Sequence, residues 1–182
     1  MKKLIFLVLM SFAATVAISQ IHHASLQASG LTCAMCARSV YKNLESLPFI
    51  QQIDTDLEGS KFMLTFRKDA DVDADLIRKK VEDAGFSVAF LSLAAHFEGV
   101  PVRQGQHLVM NGKVYHLLSV GVPVLQGEKN MLVIDKQFLS VKEQKKYAGA
   151  SEMSCYKTGK ADGACCKDDG IAPGTRIYHV SM

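Results

Sequence analysis

The hydrophobic residues in the first half of the chain change their spacing several times, and each change predicts a new element. Alternating apolar residues over residues 21–29 predict a half-buried strand, and helical spacing over residues 37–46 predicts a helix that Pro48 ends. Two short apolar runs, a second helical stretch and a last apolar run follow, at residues 49–57, 61–67, 71–84 and 86–93. The order strand, helix, strand, strand, helix, strand predicts an α+β domain of the ferredoxin-like type over residues 20–93.

The second half of the chain lacks extended helical spacing after residue 95. Short runs typical of strands lie at residues 107–110, 113–120, 131–134 and 175–180, and a short helix is predicted at residues 141–147. Asn111-Gly112 and Gln126-Gly127-Glu128 are predicted turns. We therefore expect a boundary near residues 94–99 and a small β-rich C-terminal domain, such as a barrel, over residues 94–182.

The first residues have the pattern of a secretory signal peptide. Lys2 and Lys3 precede an apolar run at residues 4–10, and small residues continue to Ser19. The apolar run is shorter than the roughly 20 residues that span a bilayer. We expect residues 1–19 to be removed before Gln20, leaving a periplasmic or secreted protein with no membrane span in the mature chain.

The charge of the chain is nearly balanced, with 21 Lys and Arg against 18 Asp and Glu. This balance gives no electrostatic basis for a nucleic-acid partner. The chain has 5 cysteines, and export permits disulfides. Because the number is odd, at least one thiol must be free, bound to metal or joined to another molecule.

Two of the cysteines lie three positions apart in the run Gly30-Leu31-Thr32-Cys33-Ala34-Met35-Cys36, between the first predicted strand and helix. The unpaired N–H groups and partial positive charge of a helix N-terminus favour the thiolate form of cysteine. Thiolate pairs select soft ions such as Cu(I), whereas a structural Zn(II) site takes four ligands. Cys33 and Cys36 are therefore predicted metal ligands. The same spacing also permits a local disulfide or a thiol-disulfide oxidoreductase pair.

Residues 22–93 resemble the heavy-metal-associated domain family, which includes copper chaperones, copper-pump N-terminal domains and the periplasmic mercury-binding protein. The residues that carry the resemblance are Gly30, Thr32, Cys33, Cys36 and Ala84-Gly85-Phe86. Leu31 stands where the family usually has methionine.

The resemblance implies that Cys33 and Cys36 bind the metal, that Gly30 and Thr32 shape the loop, and that Phe86 packs near the sulfurs. It also implies a metal carrier and not an enzyme. We expect Cu(I) as the metal, with Hg(II) or Zn(II) as alternatives, and a metal exporter or another metal carrier as the partner. Met35 is expected to face outward, towards a partner.

The remaining cysteines, Cys155, Cys165 and Cys166, lie in a loop at residues 151–174. One interpretation is a disulfide from Cys155 to Cys165 or Cys166. The other is a second soft-metal site formed by the three thiols, with or without Met153. The sequence leaves both open.

Histidines suggest two further features. If the mature chain begins at Gln20, His22 would be its third residue, and its imidazole, the terminal amine and two backbone amides would form a square-planar Cu(II) site. Residues 114–117 and 177–180 share the pattern apolar, Tyr, His, apolar. We interpret this likeness as alternating strand chemistry.

Overall fold

The computed structural model describes residues 20–162, 166 and 169–182. The predicted signal peptide at residues 1–19 and Cys165 lie outside the described residues.

The first half of the chain has the predicted order of elements. These elements are β1 (Gln20–Ser29), α1 (Ala34–Glu45), β2 (Ile50–Asp56), β3 (Lys61–Phe66), α2 (Ala74–Asp83) and β4 (Ser87–Pro101). The strands lie in the order β2-β3-β1-β4, with antiparallel neighbours. The prediction of a ferredoxin-like βαββαβ arrangement is therefore confirmed for this part of the chain.

The second half of the chain contains strands and short helices. They are β5 (His107–Met110), β6 (Lys113–Ser119), β7 (Val124–Val133), a 3-10 helix (Lys136–Phe138), α3 (Val141–Tyr147), α4 (Ser154–Thr158) and β8 (Ile177–Ser181). Asn111 and Gly112, with φ of 47° and 72°, join β5 to β6 in the predicted turn. Positive φ at both positions is typical of a tight hairpin turn.

The two halves of the chain share a sheet. Among the described residues, the strands form one eight-stranded sheet in the order β2-β3-β1-β4-β7-β8-β6-β5. Strand β4 pairs with β1 along one side and with β7 along the other. The predicted boundary at residues 94–99 lies inside β4, so no loop separates the halves, and the β-rich half extends this sheet and does not close into the expected barrel.

The predicted turn at Gln126-Gly127-Glu128 is wrong, because these residues lie inside β7. Gly127 pairs with Phe97 and has a φ of 70°, next to a shift in the register between β4 and β7. A glycine with positive φ is typical of a β-bulge, where the strand bends without ending. Strand β7 therefore begins at Val124, earlier than the predicted start at residue 131.

The helices of the first half pack on one face of the sheet. Val40 and Leu44 of α1 and Ile77 and Val81 of α2 are buried in the main hydrophobic cluster. This cluster continues into the second half, through residues that include Tyr115, Leu125, Met131, Val133, Phe138 and Tyr178. No helix among the described residues is long and apolar enough to cross a bilayer.

Candidate metal centre

Cys33 is the N-cap residue of α1. Its backbone is extended, with φ of −153° and ψ of 157°, and its sulfur accepts a hydrogen bond from the backbone N–H of Cys36 at 3.3 Å. The thiol thus satisfies one of the N–H groups that a helix N-terminus leaves unpaired. This geometry holds the sulfur over the first turn of the helix.

The structure brings the two predicted ligands together. The Sγ atoms of Cys33 and Cys36 lie 2.6 Å apart. Cys33 is exposed and Cys36 is partly exposed. Both sulfurs are therefore available to an incoming ion or to another thiol.

The contacts of Cys33 favour its ionised form. The side chain of Cys36, followed by its backbone N–H, lowers the pKa of the Cys33 thiol, and the backbone of Met35 adds to this effect. Because the thiolate binds metal and attacks disulfides, the lowered pKa favours the reactive form of Cys33 in either chemistry.

The loop before the cysteines rests on an aromatic side chain. Gly30 has a φ of 83°, in the left-handed region that favours glycine. A Cβ atom at this position would lie 3.9 Å from Cδ1 of Phe86. Leu31 and Phe86 are half-buried and pack against the main hydrophobic cluster. Phe86 therefore lies beside Gly30, its packing near the sulfurs stays a prediction, and Thr32 is exposed.

Two exposed apolar side chains lie near the cysteines. The side chain of Met35 is 73% exposed, and that of Leu57 is 57% exposed. A cleft of about 280 Å³ lies beside Cys33, with Leu31, Leu57 and Phe62 in its wall. Met35 faces outward as expected, and the cleft beside the cysteines has polar residues, among them Asp56 and Glu58, as well as apolar ones in its wall.

The structure places His22 in β1. Gln20 and Ile21 pair with His96 and Ala95 of β4, and Nε2 of His22 lies 3.5 Å from a carboxylate oxygen of Glu128. A square-planar chelate uses the backbone nitrogens of the first residues, so these residues would have to leave the strand to form it. The Cu(II) site at His22 stays a prediction, and it requires the first residues of β1 to separate from β4.

The structure buries Cys155 and Cys166 in a small cluster with Val114, Ala161 and Ile177. Cys165 lies outside the described residues, so the disulfide and the three-thiol site stay predictions. Met153 is 38% exposed at the start of α4.

Two histidines near Cys155 were not among the site residues predicted from the sequence. His116 and His179 are buried, and their potential ligand atoms lie close to the Cys155 sulfur. The shared Tyr-His pattern of residues 114–117 and 177–180 was the available signal.

Comparison with known proteins shows similarity in the first half of the chain. The family model for the heavy-metal-associated domain matches residues 25–87. A probable copper-transporting ATPase of Arabidopsis thaliana, HMA5, is 34% identical over 76 residues, which is 42% of this chain and 8% of that protein. The chain thus matches a small part of the plant protein's length.

Two of the similar solved structures each cover a little over a third of the chain. The yeast copper transporter domain CCC2A, solved in apo and Cu(I)-loaded states, is 27% identical, with 37% of this chain and 90% of that chain covered and a TM-score of 0.33. CopP from Helicobacter pylori, in its apo form, is 27% identical, with 37% and 98% covered and a TM-score of 0.33. On the family match, residues 25–87 of this chain are a heavy-metal-associated domain.

Proposed function

We propose that this protein is an exported carrier that binds Cu(I) through Cys33 and Cys36 and either sequesters the ion or passes it to another protein. The observation that carries the proposal is the pair of sulfurs 2.6 Å apart at the exposed N-terminus of α1. Two adjacent thiolates select a soft ion. The matched plant protein is described as a probable copper-transporting ATPase, which supports copper as the cargo.

Transfer by this site would proceed through thiolate exchange. A thiolate of the partner adds to the two-coordinate ion from the exposed side and forms a new S–Cu bond. One S–Cu bond to Cys33 or Cys36 then breaks, and the released sulfur can take up a proton. The exposure of Cys33 supports this route, because an incoming sulfur can approach without unfolding the loop.

The partner in this proposal is a metal exporter or another metal carrier. Met35 and Leu57 present apolar surface close to the thiols. Contact between this surface and a partner would bring the two metal sites together and exclude water during exchange. Hg(II) suits the same two-sulfur site, whereas Zn(II) would need further ligands from the partner or from solvent.

Export rests on the predicted signal peptide at residues 1–19. The mass of the protein recovered from the periplasm or medium tests it. A mass that corresponds to a start at Gln20 supports export and cleavage. Recovery of the full-length chain from the cytoplasm contradicts them.

The binding proposal is tested by anaerobic titration of the reduced protein with Cu(I) against a chromogenic Cu(I) chelator. We expect the double variant Cys33→Ala/Cys36→Ala to lose about one tightly bound equivalent, since two thiolates hold a single soft ion. Ser39→Ala, an exposed change on the same helix, is the matched control and should bind as the unmodified protein does. Equal binding by the double variant and the control would overturn the proposal.

A thiol-disulfide oxidoreductase is the alternative that the same cysteines allow. The lowered pKa of Cys33 suits attack on a disulfide as well as metal binding. Catalytic reduction of a model disulfide separates the two functions. Turnover at the rate of a dedicated oxidoreductase, lost in the double variant, would favour the enzyme.

A further inference from the structure

Three histidines lie side by side across neighbouring strands in the second half of the chain. In the parallel pair of β6 and β8, His116 is in register with His179, and in the antiparallel pair of β5 and β6, His107 is opposite His116. The ring centroids are 4.3 Å apart for His107 and His116 and 5.3 Å apart for His116 and His179. The shared Tyr-His pattern of β6 and β8 therefore places the imidazoles of His116 and His179 next to each other, which alternating strand chemistry alone does not explain.

The adjacent helix α4 adds a sulfur to this row. The potential ligand atoms of His116, Cys155 and His179 all lie within 4.8 Å of one another, and the three residues are buried. Atoms that bind one ion at about 2.0 to 2.3 Å are roughly 3.4 to 3.8 Å apart. The widest of the three separations thus has to shorten by at most about 1.4 Å for the groups to share an ion.

Buried nitrogens at this position lack partners within the described part of the chain. Neither ring nitrogen of His116 makes a hydrogen bond of normal geometry there, although the backbone of Gly105 is close enough to favour the charged ring, and Nε2 of His179 makes none. Both residues are 0% exposed, so water in the bulk solvent does not satisfy them. Buried polar atoms are rarely left in this state, because each carries a desolvation cost. A bound ion would accept the lone pair of one ring nitrogen of His116 and that of Nε2 of His179.

A carboxylate orients one of the histidines. Nδ1 of His179 lies 2.7 Å from Oδ1 of Asp135, which is itself 3% exposed. Arg176 donates to the other oxygen of Asp135 at 3.3 Å. Hydrogen bonding at Nδ1 leaves Nε2 as the atom of His179 that faces the cluster. Metal-binding histidines commonly have such a carboxylate partner.

The contacts of His107 distinguish it from the other two histidines. Its Nδ1 lies 2.5 Å from Oδ2 of Asp169, and its Nε2 lies 3.7 Å from the sulfur of Cys166. Both nitrogens of this ring therefore have partners. The ligand atoms that lie together are those of His116, His179 and Cys155.

We infer that His116, His179 and Cys155 form a second, buried metal site that binds a soft or borderline ion with a filled d shell, Cu(I) or Zn(II). One thiolate with two imidazoles suits copper and zinc and disfavours hard ions such as Mg²⁺ and Ca²⁺, which take oxygen ligands. The site is separate from the Cys33 and Cys36 pair, and the inference does not depend on the function proposed for that pair.

The charge state of His116 is suited to this role. Burial, together with the neighbouring His107 and His179, lowers the pKa of His116 to about 4. The ring is therefore neutral at neutral pH and has a lone pair to offer. The geometry of the three donors and the unpartnered nitrogens carry the inference independently of this pKa.

The test uses the full mature chain with Cys33→Ala and Cys36→Ala, which removes the loop site. The reduced protein is titrated anaerobically with Cu(I) and, separately, with Zn(II), each against a competing chelator. We expect about one equivalent of at least one ion to bind, given one set of three donors. Adding His116→Gln should abolish this binding, whereas adding His96→Gln, an exposed histidine on β4, should leave it unchanged. Failure to bind either ion would overturn the site while leaving the loop proposal untouched.

Two measurements on the intact site keep the test decisive if His116→Gln does not fold. In NMR spectra of the loop double variant, the ion should shift the ring nitrogens of His116 and His179 and leave those of His96 in place. Absence of that shift overturns the inference. Peptide mapping of the isolated protein without reduction examines Cys155 directly. A disulfide at Cys155 in most molecules would also overturn the inference, because a disulfide sulfur cannot act as a thiolate ligand.

Discussion

Arg176 and Asp75 join the two halves of the chain through a hydrogen-bonded ion pair. Nε of Arg176, just before β8, donates to Oδ2 of Asp75, in the first turn of α2, at 2.7 Å. Nη2 of Arg176 also reaches Asp135, and the hydroxyl of Tyr178 donates to Asp73 at 3.1 Å. The heavy-metal-associated domain and the β-rich half are therefore connected by polar contacts as well as by the shared sheet.

Replacing Arg176 should destabilise the protein. Arg176→Gln removes the guanidinium beside the buried carboxylate of Asp135 and leaves the half-buried carboxylate of Asp75 with only Arg78, at 3.6 Å. We expect the free energy of unfolding in urea to fall by about 1 to 3 kcal/mol, the usual range for charged hydrogen bonds. Because the Arg176–Asp75 ion pair is partly exposed to solvent, the expected loss in the free energy of unfolding lies in the lower part of this range.

The matched control for this prediction is Arg38→Gln, which removes the same charge from the exposed surface of α1. Surface changes of this kind usually alter stability by less than about 0.5 kcal/mol. Equal losses for Arg38→Gln and Arg176→Gln would contradict a specific role for the ion pair.

Asp75 should make stability depend on pH in the acid range. Burial by itself raises the pKa of Asp75, but the hydrogen bond and charge of Arg176, with smaller effects of Tyr178 and Arg78, hold the pKa below its usual value. The stabilisation is fully present above the unfolded-state pKa of about 3.9 and is lost as the pH falls through the lower folded-state value. Asp75→Asn should therefore be less stable at neutral pH and lose less stability on acidification.

Urea unfolding between about pH 6 and about pH 2 measures this dependence. Glu98→Gln, which removes an exposed carboxylate from β4, serves as the control and should keep the slope of the unmodified protein. Parallel curves for Asp75→Asn and the unmodified protein would show that Asp75 has no lowered pKa.

The parts of the fold that the sequence predicted depend on local patterns. The helical spacing of apolar residues identified α1 and α2, and Asn111-Gly112 identified the hairpin of β5 and β6. The course of the sheet through β4 depends instead on pairing between distant strands. Gly127 was interpreted as a turn because its positive φ at a bulge has the same sequence signal as a turn.

The two candidate sites also differ in whether local sequence patterns could predict them. Cys33 and Cys36 are three residues apart, so one helix start brings their sulfurs together, and the sequence alone could pair them. His116 and His179 meet through the register of two parallel strands, and Cys155 comes from a helix between them in the chain. Parallel strands require a long connection, and their register leaves no local mark in the sequence.

Cys33 should react with an alkylating reagent at lower pH than an ordinary thiol. The hydrogen bonds from Cys36 lower the pKa of Cys33, so the midpoint of its reaction rate should lie below the usual value of about 8.5. Cys36→Ala removes the larger of the two contacts and keeps the backbone N–H. In this variant, the pH midpoint of the Cys33 reaction rate should rise towards that of an ordinary cysteine thiol without reaching it.

The rate is followed by mass spectrometry of the peptide that contains Cys33, in protein reduced beforehand, across a series of pH values. Ser39→Ala should leave the midpoint in place, since Ser39 makes no contact with the Cys33 sulfur in the described residues. A midpoint that does not move in Cys36→Ala would show that the side chain of Cys36 does not tune this thiol.

Gly30→Ala should lower the free energy of unfolding because of the backbone conformation at this position, and not because the new Cβ clashes with a neighbour. The φ of 83° at Gly30 is unfavourable for alanine, whereas the added Cβ would meet Phe86 at 3.9 Å, an ordinary contact distance. The left-handed conformation costs about 1 to 2 kcal/mol for a residue with a Cβ, and we expect the free energy of unfolding in urea to fall by that amount. Gly121→Ala, where the new Cβ has nothing within 4 Å and φ lies outside the positive range, should change it little. Cys33 is held in place by the start of α1, so the Gly30→Ala variant should still bind Cu(I) in the chelator assay. Loss of Cu(I) binding in this variant would show that the loop conformation at Gly30 positions the sulfurs.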